Sequence, residues 1–363
     1  NPCGEEPLRA YESCNLGSVV MSTHVKGSGK QAVIDWESLK RSIHTGIHLL
    51  ENMIDLSRFP LDKISEEVRK TRKLGLGMVG FGSMLYLMHI PYNSKEAVEL
   101  MRKVMYFIQK EAVIASQDLA RERGVFPGFK NSKWDTAGIK VRNATLTSIA
   151  PTGTLSLVTD TSSGIEPIFS LVYKRSSFYQ DDGKESKRSL MYVDKFFAAY
   201  AKEQGFYTDE LISRIAENGG SLNGISGIPV EAAKIFVTTN EIEPEWHVRM
   251  QAAAQENVDA AVSKTINLPN NATIDDVRRS YILSWELKCK GITIYRDGSK
   301  SDQVLERVIT VKSQEKEFSN ETEEDVPVIT SNHEITPNAY EVLAKRALIK
   351  DDNGKIIETA EEL

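Results

Sequence analysis

The longest regular pattern in the chain runs over residues 94–123, and it most limits what the chain can fold into. Val98, Met101, Met105, Ile108 and Ala112 recur at helical spacing on one stripe, and Gly124 stands where such a helix would stop. A stripe of that length must be covered by other parts of the chain. Met101 and Met105 are therefore read as core filling rather than as ligands. A second helix is expected from an Asp35 cap to about residue 52, with Leu39, Ile43, Ile47, Leu50 and Ile54 at helical spacing. His44 and His48 share a face of it, with Glu51 near. Thr45 breaks the His-Glu-x-x-His pattern and no third ligand is evident, so no metal site is assigned.

Composition narrows the function classes. The chain has 363 residues, of which 26% are charged, with a formal charge of −6 and no basic block. Nucleic-acid binding needs clustered Lys and Arg to neutralise phosphates, so it is not expected. A small phosphorylated substrate is compatible, because backbone amides can bind phosphate without a basic surface. The three cysteines, Cys3, Cys14 and Cys289, have no framework spacing. That argues against a secreted disulfide scaffold and for a reducing, cytoplasmic setting. No apolar run reaches the length of a membrane span, and no signal peptide is recognisable. The first residue is Asn1 rather than Met, which is read as a fragment or a processed product.

Gly75-Leu76-Gly77-Met78-Val79-Gly80 matches G-x-G-x-x-G, but the preceding residues 66–73 are charged and helical in character. A dinucleotide site needs a buried strand there, so close helix packing through small residues is the better reading. Residues 145–150 read as a strand that runs into Pro151-Thr152-Gly153-Thr154-Leu155-Ser156. Such an opening can present consecutive backbone N–H groups to an anion, or it can be a structural turn. The loop over 161–167 is similarly small and polar. Residues 188–262 are expected to be mostly helical, with helices over 192–204, 209–218 and 245–262. Thr273 and Asp276 form a capping box for a helix to about residue 288, and a short strand follows over 291–295. Cys289 beside it is read as a small buried thiol. From about residue 301 the composition changes, and residues 315–325 are acidic with little apolar content.

The first five residues, Asn1-Pro2-Cys3-Gly4-Glu5, carry an amide, a thiol and a carboxylate at alternate positions. On an extended segment these would point to one side, so a short strand or a loop tip could aim all three into one pocket. A second thiol follows at Cys14.

Several stretches together resemble one family. They are Asn1-Pro2-Cys3-Gly4-Glu5, Ser13-Cys14-Asn15-Leu16-Gly17-Ser18, Arg72-Lys73-Leu74-Gly75-Leu76-Gly77 and Ala150-Pro151-Thr152-Gly153-Thr154-Leu155-Ser156. Ser163-Gly164-Ile165-Glu166-Pro167, Val262-Ser263-Lys264-Thr265-Ile266-Asn267 and Lys290-Gly291-Ile292-Thr293-Ile294-Tyr295-Arg296-Asp297-Gly298-Ser299 continue in order. The set resembles the catalytic subunit of class II ribonucleotide reductases, the adenosylcobalamin-dependent kind.

The resemblance implies an α/β fold: the second half of a ten-stranded α/β barrel with a finger loop and surrounding helices. It implies Cys3 as the thiyl radical that abstracts the ribose 3′-hydrogen, Glu5 as the base at the 3′-hydroxyl, and Asn1 as the amide that orients the ribose hydroxyls. Cys14 would be one member of the pair that reduces the 2′-carbon. Pro151, Thr152, Gly153, Thr154, Leu155 and Ser156 would bind the substrate phosphates. Adenosylcobalamin is the implied cofactor, and no metal ligand is assigned to the chain. A ribonucleotide di- or triphosphate, a complementary N-terminal half, thioredoxin or glutaredoxin as reductant, and a homodimer when complete are the implied partners.

The chemistry of the residues agrees. The cofactor does the hard radical step, hydroxyl removal needs a base and an acid, and closed-shell reduction needs a dithiol. The partner of Cys14 and the family's C-terminal cysteine pair are missing from this sequence. Three segments are expected: a half-barrel over 1–305, an acidic linker over 306–335, and a stretch over 336–363 resembling the family's N-terminus. The last suggests a permuted or split arrangement. A class I large subunit and an inactive or regulatory paralogue are the alternatives; no paired-tyrosine relay supports the first, and the retained Asn1, Cys3, Glu5 and Cys14 oppose the second.

Overall fold

The computed structural model describes residues 3–181, 184–299 and 343. Asn1, the expected linker over 306–335 and, apart from Leu343, the segment over 336–363 lie outside the described residues.

Strand β1 (Asn15–Val20) leads to helix α1 (Trp36–Leu56). Asp35 starts that helix by accepting from the Ser38 backbone N–H at 3.1 Å, as the capping signal requires. Helix α2 (Asp62–Thr71), strand β2 (Leu74–Val79), helix α3 (Phe81–Leu87) and helix α4 (Lys95–Arg123) follow. Ser94 caps α4, and Gly124 ends it at φ 80°, a backbone angle that suits glycine. The stripes read from the sequence are the covered faces. Leu39, Ile43, Ile47, Leu50 and Ile54 of α1 and Val98, Met101, Met105, Ile108 and Ala112 of α4 are all buried in one core with Leu74, Leu76 and Met78 of β2. Each such side chain contributes roughly 1.5–3 kcal/mol through burial.

β1 and β2 pair in parallel, from Asn15 opposite Leu74 to Val20 opposite Val79. The row continues through residues 145–149, where Leu76 bridges Thr147 in parallel and the Leu74 N–H donates to Thr145 O at 2.9 Å. Residues 260–263 lie on the far side of that segment. Ile149 bridges Val262 in parallel, and the Ser263 N–H donates to Ile149 O at 2.8 Å.

Gly75 and Gly77 lie within β2, fully buried, so the glycine pattern serves strand packing and not the helix packing expected of it. A Cβ on Gly77 would sit 2.2 Å from Ser148 O, a backbone atom that cannot step aside. Gly77→Ala should therefore cost about 1–3 kcal/mol by overpacking. The urea midpoint of the variant checks this, and an unchanged midpoint would show that the two strands can part freely.

Residues 151–158 turn into a short helix α5 (Gly153–Val158). A hairpin of β3 (Val172–Asp181) and β4 (Lys184–Val193) follows, paired from Val172 opposite Val193 to Asp181 opposite Lys184. This hairpin takes Tyr192 and Val193 from the helix expected over 192–204. That helix, α6 (Lys195–Glu203), starts where the Asp194 carboxylate accepts from Phe196 and Phe197 N–H. With α7 (Asp209–Glu217) it encloses a second core around Phe197, Tyr200, Ile215 and Phe236. Helix α8 (Pro244–Gln255) stops before the expected end at 262, because the backbone of 260–263 is taken up by the parallel row. Strand β5 (Thr265–Leu268), helix α9 (Ile274–Glu286) and strand β6 (Thr293–Arg296) complete the described chain, β5 and β6 pairing in parallel. The Thr273–Asp276 capping box is present. Among the described residues no helix is long and apolar enough to cross a membrane.

Candidate active site

The amino-terminal residues lie against the parallel row. Glu5 O accepts from the Ala261 N–H and from the Ser148 hydroxyl, each at 2.9 Å. Those two donors belong to neighbouring members of the row, so they fasten the segment across it. Cys3, Gly4 and Glu5 form a turn rather than a strand, because Gly4 has φ 79°. The grouping of Cys3 with Glu5 thus comes from a glycine turn and not from the pleat. Cys3 is half-buried, while Glu5 is only 5% exposed. Its Oε2 is buried with no hydrogen-bond partner among the described residues. A carboxylate oxygen in that condition is costly unless a ligand satisfies it. A Cβ built on Gly4 would meet nothing within 4 Å, so one side of the turn is open.

Cys14, just ahead of β1, donates its thiol to Asn15 O at 3.5 Å, and the buried carboxyl of Glu6 stands near enough to act on its charge. Burial, reinforced by the facing Glu6, pushes the Cys14 thiol far up. Burial likewise raises Glu6 to about 7. Glu12 nearby behaves oppositely. Burial works against its charge, but hydrogen bonds from Arg9 and from Lys73 Nζ at 2.7 Å outweigh it and hold the carboxyl at about 2. Glu6 was not singled out in the sequence; only its place beside Glu5 in the first motif could have drawn attention to it.

The two small polar loops are joined. The Thr152 hydroxyl accepts from the Gly164 N–H at 2.7 Å, and the Ser156 and Ser163 hydroxyls lie 2.8 Å apart. Thr152 and Ser156 are therefore buried and occupied, whereas Pro151, Gly153, Thr154 and Leu155 are exposed. A cavity of about 330 Å³ opens beside them, with Ser156, Ser163, Glu166, Thr265 and Asn267 in its wall.

Behind that wall sits a buried cation. Lys264 Nζ donates to the Glu166 carboxylate, to His247 Nδ1 at 2.8 Å and to Thr265 O at 2.5 Å. The Thr265 N–H also donates to Glu166 Oε1 at 2.7 Å. Burial, with the Lys264 charge added, drives His247 well below the usual imidazole value, so it is neutral and can accept at Nδ1. Glu166 and Lys264 both lie in motifs quoted above, but nothing in their spacing pairs them. Cys289 is half-buried and raised to about 11 by burial, which fits an inert thiol. His44 and His48 are each engaged by a protein partner, Glu111 at 2.9 Å and Arg123 at 2.9 Å.

Comparison with known proteins places this arrangement. The ribonucleotide reductase barrel domain matches residues 1–141 and 136–295. A vitamin B12-dependent ribonucleoside-diphosphate reductase of Thermoplasma acidophilum is 47% identical over 319 residues, covering 87% of this chain and 40% of that protein. A reductase of the same description from Mycobacterium tuberculosis is 46% identical over 305 residues, covering 84% and 42%. The chain thus spans under half the length of these relatives. A solved structure, the alpha subunit of a class Id ribonucleotide reductase from Actinobacillus ureae, superposes with a TM-score of 0.67 at 24% identity, covering 82% of this chain and 52% of that one. The parallel row, the turn of Cys3 and Glu5 laid across it and this continuous sequence match lead to one conclusion: the chain belongs to the ribonucleotide reductase family, in its barrel domain.

Proposed function

We propose that the chain is the catalytic part of an adenosylcobalamin-dependent ribonucleotide reductase, and that its parallel row is the second half of a ten-stranded barrel. The observation that carries this reading is the turn: Cys3 half-buried, and Glu5 sealed beside it with an oxygen unsatisfied among the described residues. The residues present fit a bulky cofactor, because the Gly4 side of the turn is open and Cys3 would receive it there. When bound, that cofactor supplies a radical equivalent by cobalt–carbon homolysis.

The chain's own residues do the rest. Cys3, as a thiyl, takes the 3′-hydrogen and gives it back to the 3′-carbon once the 2′-carbon has been reduced, which regenerates the thiyl. Glu5 Oε2 accepts the 3′-hydroxyl proton, a role that suits a buried oxygen awaiting a donor. Asn1 orients the ribose hydroxyls. Cys14 with a thiol from the complementary half reduces the 2′-carbon as water leaves, forming a disulfide that an external dithiol of the thioredoxin or glutaredoxin kind reopens. The exposed backbone of Gly153 and Thr154 receives the substrate phosphates, and the Lys264–Glu166 ion pair holds the wall behind them.

The test is a nucleotide-reduction assay on the full chain, with and without a polypeptide carrying the first half-barrel, and with and without adenosylcobalamin. Deoxyribonucleotide should form only when all three are present. Reduction that ignores cobalamin but needs a metal subunit would assign the chain to class I. Complex formation without turnover would make it a regulatory relative.

A further inference from the structure

The cavity beside the 151–156 loop has acids in its wall, although it adjoins a loop suited to phosphate. Asp160, Glu166 and Asp194 line it, and no lysine, arginine or histidine does so among the described residues. Each acid is answered from within the protein. Asp160 pairs with Lys195 at 3.1 Å, and Asp194 accepts from the Phe196 and Phe197 N–H groups. Glu166 is answered by a cation that is itself sealed from solvent. Lys264 is 1% exposed, whereas the Glu166 side chain is 24% exposed. Lys264 Nζ donates to Glu166 Oε2, to His247 Nδ1 and to Thr265 O, which match the three hydrogens of an ammonium group. The Thr265 N–H takes the other Glu166 oxygen at 2.7 Å, so the carboxylate is held at both ends.

We propose that Lys264 is a positioning residue for phosphate binding that acts through Glu166. Its buried charge holds and cancels the carboxylate, so that an anion can occupy the cavity beside residues 151–156. Repulsion between like charges extends over several ångströms at the effective dielectric of a protein surface. A bare carboxylate in this wall would therefore weaken a diphosphate by roughly tenfold. Lys264 stands behind Glu166 and does not itself line the cavity. Recognition is thereby left to hydroxyls and backbone N–H groups. The Ser156 and Ser163 hydroxyls, 2.8 Å apart, and the exposed Gly153 and Thr154 lie on that side. That the anion is the phosphate chain of a nucleotide rests on the reductase reading. The masking of Glu166 does not, and it can be measured with an inorganic anion.

Calorimetric titration of the full chain with inorganic pyrophosphate, in metal-free buffer, reads the effect. Lys264→Met should weaken binding about tenfold, because it bares the Glu166 charge. Lys264→Met combined with Glu166→Gln should return the affinity to within about twofold of wild type, because no charge is left to oppose the anion. A lysine that only supports the fold would show no such rescue. An unweakened Lys264→Met, a double variant as weak as the single one, or a wild-type chain that binds no pyrophosphate up to about 10 mM overturns the proposal. If Lys264→Met loses its native circular dichroism spectrum, the double variant decides, since it leaves neither charge unpaired. Affinity within about twofold of wild type then supports the masking, and a loss of about tenfold overturns it. Loss of the native spectrum by both variants overturns it as well, because the pair would then serve the fold. The expected binding pattern with no deoxyribonucleotide formed in the reconstituted assay would count against the reductase reading alone.

Discussion

Replacing Glu51 by alanine should cost about 3–5 kcal/mol of stability, the usual consequence of removing one partner from a buried ion pair. Glu51 is fully buried in α1 and serves three donors. Its Oε1 accepts from Arg72 Nε at 2.7 Å and from Arg142 Nε at 2.8 Å, and its Oε2 accepts from Asn143 Nδ2 at 2.6 Å. Without the carboxylate, Arg142 loses its acidic partner and keeps only the carbonyl oxygens of Arg123, Gly124 and Val125. Arg72 keeps Asp55, which is half-exposed and therefore weaker compensation. The effect reaches the parallel row, because Arg72 and Asn143 stand immediately before the two segments that pair as β2 and 145–149. Urea denaturation followed by circular dichroism measures the loss. A change below about 1 kcal/mol would mean that water or rearranged arginines replace the carboxylate. Glu51→Gln should fall between, since the amide keeps the shape but not the charge.

The second large effect is on chemistry. In the reconstituted reductase, Cys3→Ser should lower turnover by about 10⁴-fold or more, to background, while nucleotide binding stays within about twofold. A serine hydroxyl has nearly the thiol's shape, but its O–H bond is too strong to give a radical that the cofactor could form. Glu5→Gln should cost less, about 10²–10⁴-fold in kcat, the range for loss of a general base. Single-turnover rates and substrate dissociation constants, measured side by side, separate these outcomes. Appreciable turnover by Cys3→Ser would remove Cys3 from its proposed role, and a matching loss of binding would make the residue structural.

The fold was legible where the signals are local. Asp35, Ser94, Gly124 and the Thr273–Asp276 box mark helix ends because caps act over three or four residues. The apolar stripes of α1 and α4 are buried as their spacing requires. The 172–193 hairpin was not legible, because its register is set by the facing strand and not by a pattern within either strand. The end of α8 differs from the expected one for a related reason: a short apolar run such as 260–262 suits a helix or a buried strand equally, and the hydrogen bonds of Thr147 and Ile149 decide between them. The glycines at 75 and 77 lie inside the buried strand β2, so they serve strand packing where the sequence suggests helix packing.

The candidate site divides in the same way. The order and identity of Cys3, Glu5, Cys14 and the 150–156 loop stand in the sequence, because chemistry demands particular side chains and a family keeps them in sequence. The surroundings that tune those groups do not. Lys264 reaches Glu166 across 98 residues, Arg142 reaches Glu51 across 91, and Ser148 reaches the amino-terminal turn at Glu5 across 143. Burial is what raises Glu6 and holds Cys14 as a thiol, and burial belongs to no single stretch of chain. Sequence alone determined which groups are available and how each helix begins and ends. Tertiary structure alone decided which charges meet, because a contact between distant residues exists only once the parallel row has set the distance between them.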